Sequence, residues 1–304
     1  MFSTVQDLGR YGYGPLGVSP SGAADPVALR IGNLLVGNPE NTPALEMTLV
    51  GGTFVFEEDS VVALAGSDFG AALLGGGPDG AALPMHTACE VLAGQTLKIG
   101  PTRGGARCYL CVAGGIMVKP FLGSASTHIL TGLGGFEGRA LRKGDMLATG
   151  AVRSTARKIR VEVLEALAPR KVLRATAAPQ TAWFPVESVR RFYEGAYTVT
   201  EESNRMGLRL QGTVIETPHG GSMISEGVSL GAIQIPAGGQ PIILFVEQQT
   251  TGGYPKIANI ISADLASVGQ LRPRDEIRFE RVTFETARDL IRLQEEAISR
   301  CIST

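Results

Sequence analysis

The sequence lacks a concentration of charge of either sign. Its 28 lysines and arginines balance 29 aspartates and glutamates, and the formal net charge is −1. Blocks of about five or six like charges, which are typical of nucleic-acid-binding tails, do not occur. Because a basic stripe is missing, we expect no nucleic acid among the partners of this protein.

Long apolar runs are also missing. The stretch 241–246 is among the longest, whereas about 20 apolar residues are needed to span a bilayer. The N-terminal residues 1–7 show no basic region followed by an apolar one, as a secretory signal would. We therefore expect a cytoplasmic protein that does not bind membranes.

Cysteine and histidine are scarce, with four and three residues. Cys108 and Cys111 have a C-x-x-C spacing, but they lie in a predicted strand over 107–113, where alternation sends them to opposite faces. No second pair completes a zinc site, and no histidine has a partner at metal-ligand spacing. We predict no metal site and cysteines buried in the core of a protein from a reducing compartment.

Glycine, by contrast, is abundant. The 304 residues include 40 glycines and 17 prolines, so glycine is about twice its average share of roughly 7%. This composition indicates many tight turns between short strands. We predict a mainly β protein with a few helices and two β-rich domains, 1–154 and 155–304. A small, polar and basic linker over 151–158 precedes a strand over 159–164 that opens the second domain.

Three segments carry helix signals. Asp25 and Pro26 are typical of an N-cap and a first helical residue, and apolar residues at helical spacing follow as far as Leu35. This pattern predicts an amphipathic helix that packs on a sheet. Further helices are predicted over 186–194 and, with one apolar side, over 283–299.

Two glycine-containing loops of the first half differ in character. The cluster over 75–80 lacks the lysine and the hydroxyl residue of a phosphate-binding loop, and we predict a hairpin turn there. The loop over 122–128 contains several hydroxyl groups and is followed closely by more glycines. It is a second candidate for a ligand loop.

The main candidate for a ligand-binding loop is the stretch 246–255, which follows a predicted buried strand over 241–246. Gln248, Thr250 and their neighbours offer donors and acceptors, and Gly252–Gly253 would allow a ligand to approach the backbone. The alternative is an ordinary polar hairpin turn in which the glycines supply positive φ angles.

Other polar residues have two interpretations each. Arg205 lies in a predicted turn, where its guanidinium could bind a carboxylate or a phosphate through two hydrogen bonds. Gln234 interrupts apolar neighbours, either as an outward residue of an alternating strand or as a ligand contact. Asp7 and Arg10 form either a structural pair or part of a cleft.

Six strings resemble, in order and over nearly the whole chain, the KipA-like family. This family is also called allophanate hydrolase subunit 2; it includes the C subunit of bacterial 5-oxoprolinase and the biotin-dependent carboxyltransferase region of urea carboxylase. The matching strings are TVQDLGRYGY (4–13), SGAADPVALRIGNLLVGN (21–38), LGSASTHI (122–129), SNRMGLRL (203–210), SEGVSLGAIQIP (225–236) and QQTTGGYPKIA (248–258).

The resemblance implies a cyclophilin-like β-barrel architecture and a subunit of an ATP-dependent lactam hydrolase that is active only in a complex. With a KipI-like B-type subunit and an A-type oxoprolinase subunit, it would help to open 5-oxo-L-proline to L-glutamate, using ATP with magnesium at the level of the complex. The residues to which it assigns catalysis are Arg205, Gln248, Thr250 and Tyr254. The residues to which it assigns binding of the small-molecule substrate are Asp7, Arg10, Ser21, Asp25, Gln234, Thr251, Gly252 and Gly253.

Within that hypothesis Arg205 holds a carboxylate or phosphate of the substrate, and Gln248 and Thr250 contact the edges of the amide. Replacing Arg205 by alanine should then lower turnover with little effect on the melting temperature. The site could also be shared with a partner subunit, since the polar loops contain no complete set of nucleophile, base and orienting group.

Two other functions are compatible with the sequence. One is biotin-dependent carboxyl transfer, for which the biotin carrier and the ATP-using domain would come from separate chains. The other is a regulatory protein that binds and inhibits a sensor kinase, as the KipA name implies. The genes next to this one would distinguish these functions.

Overall fold

The computed structural model describes residues 2–75, 80–151 and 157–303. Contacts divide the chain into two compact units. The first consists of Met1–Arg10, Ser21–Leu167 and Glu296–Thr304, and the second of Tyr11–Pro20 and Ala168–Glu295. The predicted boundary between 154 and 155 lies outside the described residues, so domains with those limits stay a prediction.

The first unit is built mainly of antiparallel strands. Five of them form one sheet in the order β1-β2-β9-β4-β7, and four form another in the order β3-β8-β5-β6. Val62, Leu64 and Leu97 belong to one buried cluster to which both sheets contribute. The strands are β1 Phe2–Gln6, β2 Ala44–Thr48, β3 Thr53–Val55, β4 Ser60–Gly66, β5 Ala72–Leu74, β6 Ala81–Ala82, β7 Ala88–Val91, β8 Thr96–Lys98, β9 Arg107–Val112 and β10 Lys158–Ile159.

Helix α1, Pro26–Leu35, packs against β4 and β9 as predicted. Its N-cap is confirmed, because the Asp25 carboxylate accepts a hydrogen bond from the Ala28 amide at 2.9 Å. Gly32 lies where a Cβ would press against Cys111 Sγ and Ala65, so the missing side chain lets the helix approach the sheet closely.

The prediction of buried cysteines is confirmed for Cys108, Cys111 and Cys301, whereas Cys89 is only partly buried. Cys108 and Cys111 are unpaired, fully buried residues of β9. Burial raises the pKa of both thiols, so they behave as small apolar side chains. The hairpin turn predicted over 75–80 falls largely on residues 76–79, outside the described part, although the flanking β5 and β6 pair antiparallel.

The strand predicted over 159–164 is wrong. Only Lys158–Ile159 pairs, antiparallel with Ile302–Ser303 near the end of the chain, and the segment continues as helix α2, Val161–Ala166. The residues before the partner strand lead back into the C-terminal helix, Phe284–Ser299, so the ladder cannot extend further in that direction. Glu162 in the first turn of α2 also favours the helix, because a carboxylate there complements the helix dipole.

The second unit contains a closed barrel of seven strands, which confirms the mainly β fold. The barrel order is β11-β18-β15-β16-β13-β12-β19, and a parallel pairing of β19 with β11 closes it. Two further strands, β14 and β17, pair only with each other. The strands are β11 Val172–Ala177, β12 Ala196–Val199, β13 Gly207–Gly212, β14 Glu226–Gly227, β15 Ala232–Gln234, β16 Ile242–Leu244, β17 Thr251–Gly252, β18 Lys256–Ile260 and β19 Glu276–Arg281.

Helix α3, Val186–Glu194, packs against β19 with the bounds that the sequence predicts. Its Phe192 ring stacks on Phe279 at 4.6 Å between centroids, and Tyr197 packs beside both. Buried aromatic pairs contribute beyond their apolar area, so this trio fixes α3 on the barrel. The other helices are α4 Leu265–Gln270, α5 Phe284–Ser299 and the 3₁₀ turns Gly14–Leu16, Thr181–Trp183, Pro218–Gly221 and Ser262–Asp264.

Among the helices of the described residues, none combines the length and the apolar character that crossing a membrane requires.

Candidate functional site in the barrel unit

A two-stranded ladder of the second unit brings two of the sequence motifs together. Strand β14 pairs with β17, so that Glu226 lies opposite Gly252 and Gly227 opposite Thr251. Beside this ladder is a cleft of about 760 Å³, formed by residues from the segments 14–17, 178–179, 226–229 and 250–259. Thr250 and Thr251, two of the predicted site residues, line it. A volume of this order suits a small molecule.

Two buried glutamine amides lie close to the ladder. The Gln234 Oε1 accepts a hydrogen bond from Gln249 Nε2 at 3.5 Å, and the Gln248 Nε2 donates to the Val228 carbonyl at 3.3 Å. The latter contact fixes the orientation of the amide, because a carbonyl oxygen can only accept. Only 1% of the surface of Gln234 is exposed, so this residue is buried and does not point outward from its strand.

One atom of each amide has no hydrogen-bond partner in the described residues. They are the Gln234 Nε2, a donor, and the Gln248 Oε1, an acceptor. A buried polar atom without a partner costs about 1–3 kcal/mol, so such atoms in a folded protein indicate a bound water or a ligand. Sequence reasoning selected both glutamines, and the structure places Gln234 against Gly252 of the ladder and Gln248 against Val228, the residue after β14.

A buried lysine next to the same ladder was missed. Lys256, the first residue of β18, has 3% of its surface exposed and lines the cleft. Its Nζ donates to Glu226 Oε1 at 2.6 Å, and Gln180 Nε2 donates to the same oxygen at 3.0 Å. The hydrogen bond from Lys256 holds the pKa of the Glu226 carboxyl below its ordinary value. In the sequence Lys256 looks like a polar residue at a strand start, and its partner is 30 positions away.

Gly252 and Gly253 serve the packing of the chain itself. Neither has a positive φ angle, so the turn alternative does not explain them. A Cβ on Gly252 would overlap Gln234 Nε2, and a Cβ on Gly253 would come within 3.1 Å of the Met223 carbonyl. Tyr254 follows them with 41% of its surface exposed.

Arg205 is buried and engaged by a carboxylate of the same chain. Its Nε lies 2.5 Å from Glu247 Oε1, and the Glu247 amide donates to the Arg205 carbonyl at 2.8 Å. Glu247 directly precedes Gln248. Arg205 therefore holds Glu247, the residue directly before Gln248, in position.

The four predicted residues of the first unit form a separate group. The Asp7 carboxylate accepts four hydrogen bonds, and Arg10 donates to the carbonyls of Ser126 and Phe121. Ser21, at a φ of 57°, donates to the Thr127 carbonyl, and Asp25 caps α1. The donors to Asp7 are the Gly9 amide at 2.8 Å, the Ser124 hydroxyl at 2.6 Å, the Ala125 amide at 2.7 Å and the Ser126 hydroxyl at 2.5 Å.

These contacts join the first string of the sequence to the hydroxyl-rich loop over 122–128. That loop was a candidate for ligand binding, but Ser124, Ser126 and Thr127 are buried and bonded to the chain itself. The geometry thus divides the predicted site into residues around the β14–β17 ladder, the Arg205–Glu247 pair, and the network of the first unit.

Comparison with known proteins decides the family. The protein family described as "Carboxyltransferase domain, subdomain A and B" matches residues 16–281. The chain belongs to the carboxyltransferase domain family. It is 39% identical to the C subunit of 5-oxoprolinase from Haemophilus influenzae, over 96% of this chain and 92% of that protein. With the C subunit of 5-oxoprolinase from Escherichia coli the identity is 41%, over 94% and 90% of the two chains.

Among solved structures, the Kluyveromyces lactis urea carboxylase is similar to this carboxyltransferase domain with a TM-score of 0.88 and 31% identity. The match covers 98% of this chain but only 28% of the urea carboxylase chain. The resemblance to the KipA-like family, including its carboxyltransferase branch, is thereby confirmed. Relatives of this chain thus include both free-standing subunits and parts of much longer chains.

Metal ligation has no candidate in the part of the carboxyltransferase domain that the structure describes. No group of three or more His, Cys, Asp or Glu residues in 2–75, 80–151 and 157–303 could hold an ion.

Replacing Gly252 by alanine should lower kcat/KM of the assembled enzyme about tenfold to a hundredfold, since displacing a binding group by about 1 Å can have an effect of this order. The physical reason is the overlap of the new Cβ with Gln234 Nε2. Gly238→Ala is the matched control, because a Cβ there meets nothing within 4 Å. Equal kcat/KM for Gly252→Ala and Gly238→Ala would remove the glutamine amides from the site.

Proposed function

We propose that this chain is the C-type subunit of an ATP-dependent 5-oxoprolinase that acts with a KipI-like B-type subunit and an A-type subunit. In this function it helps to activate 5-oxo-L-proline and open it to L-glutamate. The observation that carries the proposal is the pair of unpartnered amide atoms, the donor of Gln234 and the acceptor of Gln248. A lactam is a cis amide, so its N–H and C=O lie on the same edge and complement one acceptor and one donor.

The chemistry requires activation because the lactam amide is stabilised by resonance. Transfer of the ATP γ-phosphoryl group to the amide oxygen would make the ring carbon open to attack by water. The C–N bond then breaks and the nitrogen takes a proton, which leaves ADP and γ-glutamyl phosphate. A second water then displaces the phosphate from the acyl carbon, giving glutamate and phosphate. Catalysis of phosphoryl transfer rests mainly on positioning and on charge stabilisation.

The residues of this chain have specific parts in the proposal. Gln248 and Gln234 hold the amide edge, and Thr250 and Thr251 supply hydroxyl groups at the cleft. Tyr254, partly exposed, is accessible to a substrate or to another subunit. Arg205 acts through Glu247 as a positioning residue. ATP and magnesium are assigned to the assembled complex and not to a site within this chain.

The test is ATP hydrolysis that depends on 5-oxoproline, with glutamate release followed in parallel. This chain is mixed with a KipI-like B-type subunit and an A-type subunit, and each of the three is left out in turn. Activity that needs all three is the expected result. Full activity from the other two subunits without this chain would refute the proposal.

A second candidate is carboxyl transfer from biotin, with the biotin carrier and the carboxylase on other chains. It is favoured by the match of the carboxyltransferase family over 16–281 and by the similarity to the K. lactis urea carboxylase. Incubation with carboxybiotin and urea, followed by measurement of the carboxylated product, tests it. Product formation together with no response to 5-oxoproline would replace the first proposal by the second.

A further inference from the structure

Lys256 is a buried cation at the wall of a cleft, and its environment satisfies only part of its hydrogen-bonding capacity. An ammonium group has three N–H donors. In the described residues, Glu226 is the one hydrogen-bond partner of its Nζ, at 2.6 Å. A buried charge needs pairing and hydrogen bonds to be tolerated, so two donors remain for whatever fills the cleft.

Hydrogen bonds hold both the backbone of Lys256 and the carboxylate that its ammonium group contacts. Lys256 belongs to β18 of the closed barrel, and its backbone amide donates to Gln180 Oε1 at 3.4 Å. Gln180 Nε2 also donates to Glu226, so one glutamine holds the lysine and its carboxylate together. The Glu226 side chain is itself 41% exposed and is therefore hydrated. A solvated carboxylate leaves a buried lysine more of its positive field than a buried carboxylate would.

The rest of the cleft wall carries no charge. Of the described residues that line it, Lys256 and Glu226 are the charged ones, and the others are hydroxyl, amide, glycine, proline or apolar residues. Asn259 is already engaged, because its Oδ1 accepts from Ser229 and its Nδ2 donates to the Ile260 carbonyl. A negatively charged ligand in this cleft would thus find one cationic donor, Lys256.

We infer that Lys256 is the anchor for an anionic oxygen, from a carboxylate or a phosphoryl group, of the small molecule that occupies the cleft. Glu226 and Gln180 orient the lysine. The identity of the carboxylate rests on the proposed function: 5-oxoproline carries one at neutral pH, whereas urea carries none. Lys256 would therefore determine specificity between the two substrates that the family suggests.

The experiment compares two ligands that differ only in the anionic group. Calorimetric titration of the isolated full chain with 5-oxoprolinate and with 2-pyrrolidinone, the same ring without the carboxylate, should show a preference for 5-oxoprolinate of about tenfold to a hundredfold. This range corresponds to one hydrogen bond to a charged group. Lys256→Met should abolish the preference and leave 2-pyrrolidinone binding within about twofold, and Lys256→Arg should retain part of it.

Glu226→Gln separates anion binding from a purely structural pair. It removes a competing carboxylate while keeping a hydrogen-bond acceptor, so 5-oxoprolinate should bind more tightly. Lys98→Met, at an exposed position of β8 in the other unit, is the control and should change neither affinity. Weaker 5-oxoprolinate binding by Glu226→Gln, together with an unchanged preference in Lys256→Met, would overturn the inference.

A readout on the unmodified protein covers the case in which Lys256→Met does not fold. Amidination of lysines by methyl acetimidate is followed by peptide mass spectrometry, with Lys98 as the internal reference. Protection of Lys256 by 5-oxoprolinate supports a carboxylate as the ligand, and protection by inorganic phosphate alone supports a phosphoryl group and contradicts lactam binding at this cleft. Equal binding of both lactams without protection of Lys256 overturns the inference and leaves the proposed function standing. No binding and no protection reject both.

Discussion

Replacing Arg205 by methionine is expected to lower the free energy of unfolding by about 3–5 kcal/mol, the usual effect of removing one partner of a buried ion pair. The reason is Glu247, whose side chain is 2% exposed and lies 2.5 Å from the guanidinium. Without Arg205 its carboxylate stays buried without its counter-ion. Urea denaturation followed by circular dichroism measures the change. The sequence alone led to the opposite expectation, of lost turnover at an unchanged melting temperature.

Two control variants define the origin of this loss. The double variant Arg205→Met with Glu247→Leu removes both charges, and it should recover most of the stability, because apolar residues can replace a buried pair. Arg190→Met removes a cation paired with Glu187 and Glu194 on the exposed side of α3 and should cost about 1 kcal/mol or less. If Arg205→Met kept its urea midpoint but lost turnover, Arg205 would have to contact the substrate directly.

Replacing Asp7 by asparagine should lower the free energy of unfolding by about 2–4 kcal/mol. Hydrogen bonds to a charged group contribute about 1.5–3 kcal/mol each, and an asparagine can keep only part of the four that Asp7 accepts. Its amide group would face donors on at least one side. Amide hydrogen exchange should rise in the loop over 122–128, which places the loss in this network.

Asp68→Asn is the matched control for this variant. Asp68 also accepts from a backbone amide two residues later, at 2.6 Å to Gly70, but its side chain is 48% exposed. Surface substitutions of this kind stay within about 0.5 kcal/mol. Unchanged stability of Asp7→Asn, combined with weaker substrate binding, would return Asp7 to the role of substrate contact that the family resemblance gives it.

Local signals predicted much of the secondary structure. Asp25 and Pro26 begin α1 as expected, and the helix over 186–194 has its predicted limits, because caps and prolines act within a few residues. The segment 159–164 failed because an alternating pattern of six residues fits a strand only if a partner strand exists. Whether one exists is decided by Ile302–Ser303, far away in the sequence. Closure of the barrel by the parallel pair β11 and β19 is equally non-local.

In the candidate site, too, the features that depend on neighbouring residues were predictable and those that depend on distant residues were not. The stretch over 248–253 was recognisable, since several polar residues and two glycines after a buried strand are unusual. The pairs Lys256–Glu226 and Arg205–Glu247 were not, because they join residues 30 and 42 positions apart. Charge pairs of this kind depend on burial, and burial is known only once the barrel is built.

The course of the chain between the two units limits how this protein can be divided. Residues 11–20 leave the first unit and count with the second, and the chain changes unit again after 20, 167 and 295. If the chain is cut once between residues 20 and 295, for example near 154, each fragment lacks part of the unit to which most of its residues belong. Exchange of one unit between relatives would require several separated stretches of gene to move at once. We expect the two units to be inherited, fused to other domains and expressed as one block.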